Sequence, residues 1–132
     1  MVAAKAGADQ PWLADAAAEL AQQTGAQMFV VSVDGLDIEA LSPTPRSEFR
    51  EAAERAVRGF VERLREAGVE AEGEVRPGQV PRGILLFAEE KDADLILVGG
   101  PTKGRVARRV LGSVPVELIK RARRPVLVIS AS

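Results

Sequence analysis

"DLILVGGPTKGRVARRVLGSV", residues 94–114, decides how this chain is read. It opens as a short apolar run, breaks at Gly99-Gly100 and closes at Gly112-Ser113. An apolar run of this length bounded by turn residues is a buried strand. The segment after Gly112 carries Pro115 in its first turn, where a missing N–H does no harm, with Val116, Ile119 and Ala122 at helical spacing behind it. The stretch is therefore a strand, a glycine-rich connection bearing Lys103, Arg105, Arg108 and Arg109, and a helix entry. Such a connection is either a cradle for a phosphate or a turn with a solvated basic surface.

The flanking sequence supplies the topology. "VAAK" (2–5) ends a short strand, and Pro11 opens a helix whose apolar stripe is Trp12, Leu13, Ala16, Ala17 and Leu20, stopped by Gly25. "AQMFVVSV" (26–33) is a β-branched strand ending at Asp34-Gly35. A second helix, after Pro43 and Pro45, spaces Phe49, Ala53, Ala56, Phe60, Leu64 and Ala67 by threes and fours, with a Glu54–Arg58 pair expected on its wet face. "VEAEGEV" (69–75) alternates, and its Glu70, Glu72 and Glu74 read as the guarded face of an edge strand in preference to a metal site. A third helix turns Val80, Ile84, Phe87 and Ala88 inward, and "PVLVIS" ends the chain as a strand. Strict alternation of strand and helix predicts right-handed crossovers and an open parallel sheet with helices on both faces, an α/β fold. At 132 residues the chain is expected to be a single domain over 1–132.

Composition excludes several chemistries. There is no Cys, so no disulfide and no thiolate metal site. There is no His, which removes a Ser-His-Asp triad by inventory. No apolar run reaches membrane-span length and no signal-peptide pattern follows Met1, so direct membrane insertion is not expected and a cytoplasmic location is the default expectation. Charge is unevenly placed. Residues 103–132 hold eight cations against Glu117, a net +7, while residues 1–102 hold ten cations against eighteen anions, a net −8. A local anion site at the C-terminal end fits this split better than nucleic-acid binding, which takes a more basic domain.

In an open parallel sheet, ligands bind beyond the carboxyl ends of the strands, where the strand order reverses. Gly99 and Gly100 leave backbone N–H groups unshielded there, and Gly112-Ser113 brings the donor end of a helix. The Ser113 hydroxyl can cap that helix or meet a phosphate oxygen. No Gly-Lys-Ser/Thr string exists, so this is not a P-loop, and the connection follows the fourth strand, unlike the dinucleotide fingerprint.

With Gly99, Gly112 and Ser113 in these places, the chain resembles the universal stress proteins over nearly its whole length. That family's hallmark is Gly, two residues, Gly, nine residues, Gly-Ser/Thr between strand 4 and helix 4, and Gly99, Gly112 and Ser113 match it without insertion or deletion. "DAAAELAQQTGAQMFVVSV", "DADLILVG", "LGSV" and "RRPVLVI" are similar to the corresponding segments. The resemblance implies a five-stranded parallel sheet in the order 3-2-1-4-5, the adenine-nucleotide α-hydrolase-like fold. It implies a non-catalytic, stress-linked protein with a degenerate adenine-nucleotide or phosphate pocket for ATP or AMP, with no metal expected without the nucleotide. The implied contacts are Gly99, Thr102, Gly112, Ser113 and Val114 around the phosphates and the Val33 backbone at the base. It also implies a homodimer through the last strand, Val126, Leu127, Val128 and Ile129.

Two departures bear on the pocket. Thr102 replaces the middle glycine of the hallmark, and a β-branched residue strains any bend that needs positive φ. Lys5 stands where nucleotide-binding members carry an Asp at the end of strand 1; it cannot accept a ribose hydroxyl, but it can meet a phosphate. The chain also begins inside the central strand, as a domain taken from a longer polypeptide would. The alternative function is accordingly a nucleotide-sensing regulatory domain with a membrane transporter or sensor kinase as partner. Slow ATP hydrolysis is the enzymatic alternative; it needs a metal and a positioned water, with Asp34 as the carboxylate near a strand end.

Overall fold

The computed structural model describes residues 1–35, 46–100 and 112–131. The elements alternate throughout: β1 (Val2–Ala3), α1 (Pro11–Thr24), β2 (Met28–Val33), α2 (Arg46–Glu66), β3 (Ala71–Arg76), α3 (Val80–Glu90), β4 (Ile96–Gly99), α4 (Ser113–Arg121) and β5 (Val126–Ile129). All neighbouring strands are parallel, in the order β3-β2-β1-β4-β5. Both the expected sheet and its expected order are present.

β1 is the central strand and the shortest. Val2 pairs with Val30 on one side and Leu97 on the other, and Ala3 with Val31 and Val98. The backbone bonds Leu97 N to Met1 O and Ala4 N to Val31 O, both 2.8 Å, extend this contact by one residue at each end. Two apolar layers enclose the sheet. One gathers Leu13 and Ala17 of α1 and Val57, Phe60 and Leu64 of α2 over Val2, Val30 and Leu97; the other gathers Ile84 and Phe87 of α3 and Leu118 of α4 over Ala3, Val31 and Val98.

Alanines set the position of α1. Its buried residues are Leu13, Ala14, Ala17, Ala18 and Ala21, a stripe turned slightly from the expected one, which had Trp12 and Leu20 at its edges. Trp12 is instead half-buried and donates its indole N–H to Ile129 O at 3.3 Å, giving the polar end of the ring a partner. Gly25, at φ 72°, ends the helix and donates to Ala21 O. On α2, Glu54 pairs with Arg50 at 3.4 Å instead of the anticipated Arg58.

β3 lies at the sheet edge, as its glutamates suggested, and Glu70 and Glu72 are exposed. Glu74 is recruited into a charged roof over two aromatic rings. Arg76 bonds Glu74 at 2.9 Å and Glu90 at 2.6 Å, with its guanidinium 5.2 Å from the Phe87 centroid. Lys91 lies 5.1 Å from the Phe29 centroid and 3.5 Å from Glu74 Oε1. Cations over ring faces, each held by a carboxylate, close this edge of the core. The Arg76 guanidinium in turn holds the Glu90 carboxyl below its ordinary range.

α3 approaches β2 at Gly83. A Cβ at Gly83 would lie 2.7 Å from Val33 Cγ2. In an exposed helix, Gly→Ala stabilises by about 1 kcal/mol. Here the added methyl meets a buried side chain, so Gly83→Ala is expected to destabilise by about 1–2 kcal/mol, the cost of overpacking net of the helix gain. Urea unfolding measures this, and a rise in stability would contradict the packing described.

Candidate functional site at the carboxyl edge

The strand order reverses between β1 and β4, with β2 on one flank and β5 on the other. In sheets of this class, that reversal leaves a crevice at the carboxyl ends, because the connections from the two central strands leave toward opposite faces. The groups gathered around it are the β1–α1 turn, the end of β2, the end of β4 and the start of α4.

The β1–α1 turn is tight. Lys5 O accepts from Ala8 N at 3.2 Å, and Gly7 stands at φ 75°, the third position of a turn that requires it. The side chain of Lys5 is exposed at the end of β1, while its N–H is held by Gln10 Oε1 at 3.0 Å. Lys5 is thus a cation at the strand end, as its sequence position suggested.

At the end of β2, the Val33 side chain is packed against Gly83 and only 4% of the residue is exposed. Its backbone lies two residues beyond Val31, the last β2 residue in register with β1. What Val33 can offer a ligand is therefore main chain. Asp34, also buried, accepts from Gly78 N at 3.1 Å, and its own N–H donates to Arg76 O at 2.9 Å. This carboxylate ties β2 to the turn that follows β3.

The two glycines ending β4 are explained by crowding. Neither is among the positive-φ glycines, so backbone freedom is not what they supply. A Cβ at Gly99 would lie 2.5 Å from Gln10 Nε2, and one at Gly100 would lie 2.8 Å from Val128 Cγ1. Gly100 N donates to Ile129 O at 2.8 Å, extending the β4–β5 ladder past the strand ends. Thr102, Lys103, Arg105, Arg108 and Arg109 lie outside the described residues.

Gly112, not Ser113, is the N-cap of α4. It sits at φ 91°, where a side chain would be strained, and no side-chain capping bond forms. Ser113 is exposed as the first helical residue, so the capping role expected of its hydroxyl is not realised. Val116 N reaches Gly112 O at 3.4 Å, and Pro115 has no N–H. The N–H groups of Ser113 and Val114, at the positive end of the helix dipole, have no partner within α4 and none among the described residues. Val114 packs its side chain into the core beneath.

Gln10 is the residue that sequence reasoning missed. It lies in the loop between the expected β1 and Pro11, yet it is 7% exposed, bonds Lys5 just past β1 and seats against Gly99 of β4. A glutamine directly before a helix-opening proline was the available signal, since Ser, Thr, Asp and Asn are the usual N-caps. A groove of about 560 Å³ begins beside it, between α1 and α2, walled by Gly7, Asp9, Arg55, Phe60 and Arg63. Arg63 is held there by Asp15 at 2.8 Å. Among the described residues, no group of three or more acidic side chains is placed to hold a metal ion, and no helix is long and apolar enough to cross a membrane.

This arrangement has relatives. The model of the universal stress protein family matches residues 1–130. A universal stress protein of Methanocaldococcus jannaschii is 34% identical over 105 residues, which are 77% of this chain and 62% of that relative. The chain thus spans about three-fifths of that relative's length. The structure of a universal stress protein from Archaeoglobus fulgidus superposes with a TM-score of 0.79 at 26% identity, covering 97% of this chain and 95% of that one. An Archaeoglobus fulgidus universal stress protein in complex with dAMP superposes at 0.74, also at 26% identity, covering 97% and 94%.

Proposed function

This chain belongs to the universal stress protein family, and from that premise we propose that it is a single non-catalytic domain, residues 1–132, that binds an adenine nucleotide at the carboxyl edge of its sheet. The observation that carries the proposal is the start of α4: a glycine held at φ 91° leads into a first turn whose Ser113 and Val114 N–H groups have no partner within the helix or among the described residues. A phosphate is the ligand that such a helix end favours. Lys5 at the neighbouring strand end adds a full positive charge. In this reading, Gly99, Thr102, Gly112, Ser113 and Val114 surround the phosphates and the Val33 main chain meets the base. The dAMP complex of the Archaeoglobus fulgidus protein supports a nucleotide over a free phosphate. A metal ion has no protein-built site in this reading and arrives with the phosphates of ATP. No hydrolytic step is assigned, because Asp34 is committed to Gly78.

Calorimetric titration with AMP and ATP, with and without magnesium, tests the reading. Micromolar binding is expected, weakened about tenfold or more by Gly112→Val, which strains the cap, and by Lys5→Glu, which reverses the charge. Wild-type protein that binds neither nucleotide would overturn it.

We further propose that two copies pair through β5. This strand ends the sheet order, so one of its edges lacks a strand neighbour among the described residues. Leu127 on it is 41% exposed, and Ile119 of α4 is 52% exposed. An open edge with exposed apolar side chains is a template for a second strand. Sedimentation analysis is expected to give a dimer for the wild type and a monomer for Leu127→Arg; a wild-type monomer at micromolar concentration would sink the pairing.

A further inference from the structure

Gln10 occupies the N-cap position of α1 without capping it. Its carbonyl accepts from Leu13 N at 3.1 Å and Ala14 N at 3.2 Å, but its side chain makes no capping bond. The amide turns the opposite way, into the seam between the two central strands. Oε1 accepts from Lys5 N at 3.0 Å, and Nε2 fills the space that a side chain at residue 99 would need.

β1 and β4 pair only at Val2–Leu97 and Ala3–Val98. Beyond that register, β1 turns away through Lys5–Ala8 toward α1, while β4 runs on through Gly99 and Gly100 beside β5. The Gln10 amide lies where the two chains part. Oε1 is paired with the Lys5 N–H, a bond costly to break when buried, and Nε2 packs against Gly99, so the one amide constrains both chains together.

We propose that Gln10 is the positioning residue of the carboxyl-edge site: its amide clamps the end of β1 to the end of β4 and so holds Lys5 and Gly99 in the arrangement that nucleotide binding uses. This rests on the nucleotide reading above. The requirement for glycine at position 99 then has a cause within the protein, since a methyl there displaces the clamp.

The test combines amide hydrogen exchange at Lys5 and Gly100 in the free protein with calorimetric titration of AMP. Gln10→Met preserves the length of the side chain and removes the amide, whereas Gln10→Glu retains an acceptor for Lys5 N–H. Val61→Ala, a cavity on α2 away from the seam, controls for lost global stability. Gln10→Met is expected to speed Lys5 exchange and weaken AMP binding, each by about tenfold, the scale of one lost buried hydrogen bond. Gly99→Ala is expected to do the same, and the double variant no more than either alone. Gln10→Glu is expected to keep Lys5 protected, and Val61→Ala to leave both readouts in place. The clamp is overturned if Gln10→Met changes neither readout, if Gln10→Glu exposes Lys5, or if Val61→Ala weakens AMP equally. Wild-type protein that binds no AMP overturns the nucleotide reading, and the clamp between the strands is then decided by the exchange rates alone.

Discussion

The sheet is organised around a central strand of two residues. Val2 and Ala3 must pair with β2 and β4 at once, and both are buried between helices from the two faces. A strand this short cannot hold its neighbours in line by its own ladder, so contacts at its ends matter. On the amino side, Leu97 N bonds Met1 O; on the carboxyl side, Ala4 N bonds Val31 O and Lys5 N bonds Gln10. The carboxyl set lies at the edge where the proposed site is placed. In this fold, the contacts that complete the sheet are also those beneath the proposed site.

Seen this way, each glycine near the site has its own physical reason. Gly7 and Gly112 are needed for positive φ, one in the turn after β1 and the other at the entrance to α4. Gly99 and Gly100 are needed for space, one for the Gln10 amide and the other for Val128. Gly83, far along the sequence, lets α3 close on Val33 and leaves only the main chain of that residue facing the crevice.

Much of this was legible in the residues themselves. The alternation of apolar runs with helical periods specified a parallel sheet, because the central strands are too apolar to leave a face uncovered. The stop at Gly25, the edge character of Glu70 and Glu72, and the helix entry at Ser113 also follow from local chemistry. What was not legible depends on contacts across the fold. Nothing near Gln10 in the sequence says that its side chain meets Gly99, eighty-nine positions away. The partner of Glu54 was chosen by rotamer and not by spacing, since Arg50 and Arg58 are both four residues distant. The cap of α4 was misplaced by one residue because Ser is the commoner cap, while the positive φ of Gly112 is a feature of the folded backbone.

The most direct test of the site is chemical-shift mapping of the isotope-labelled protein during titration with AMP. The largest changes are predicted at Lys5, Val33, Gly99, Ser113 and Val114, all on the carboxyl edge. Changes centred on Arg55, Gly59 and Arg63, in the groove between α1 and α2, would contradict the assignment and move the site to that groove.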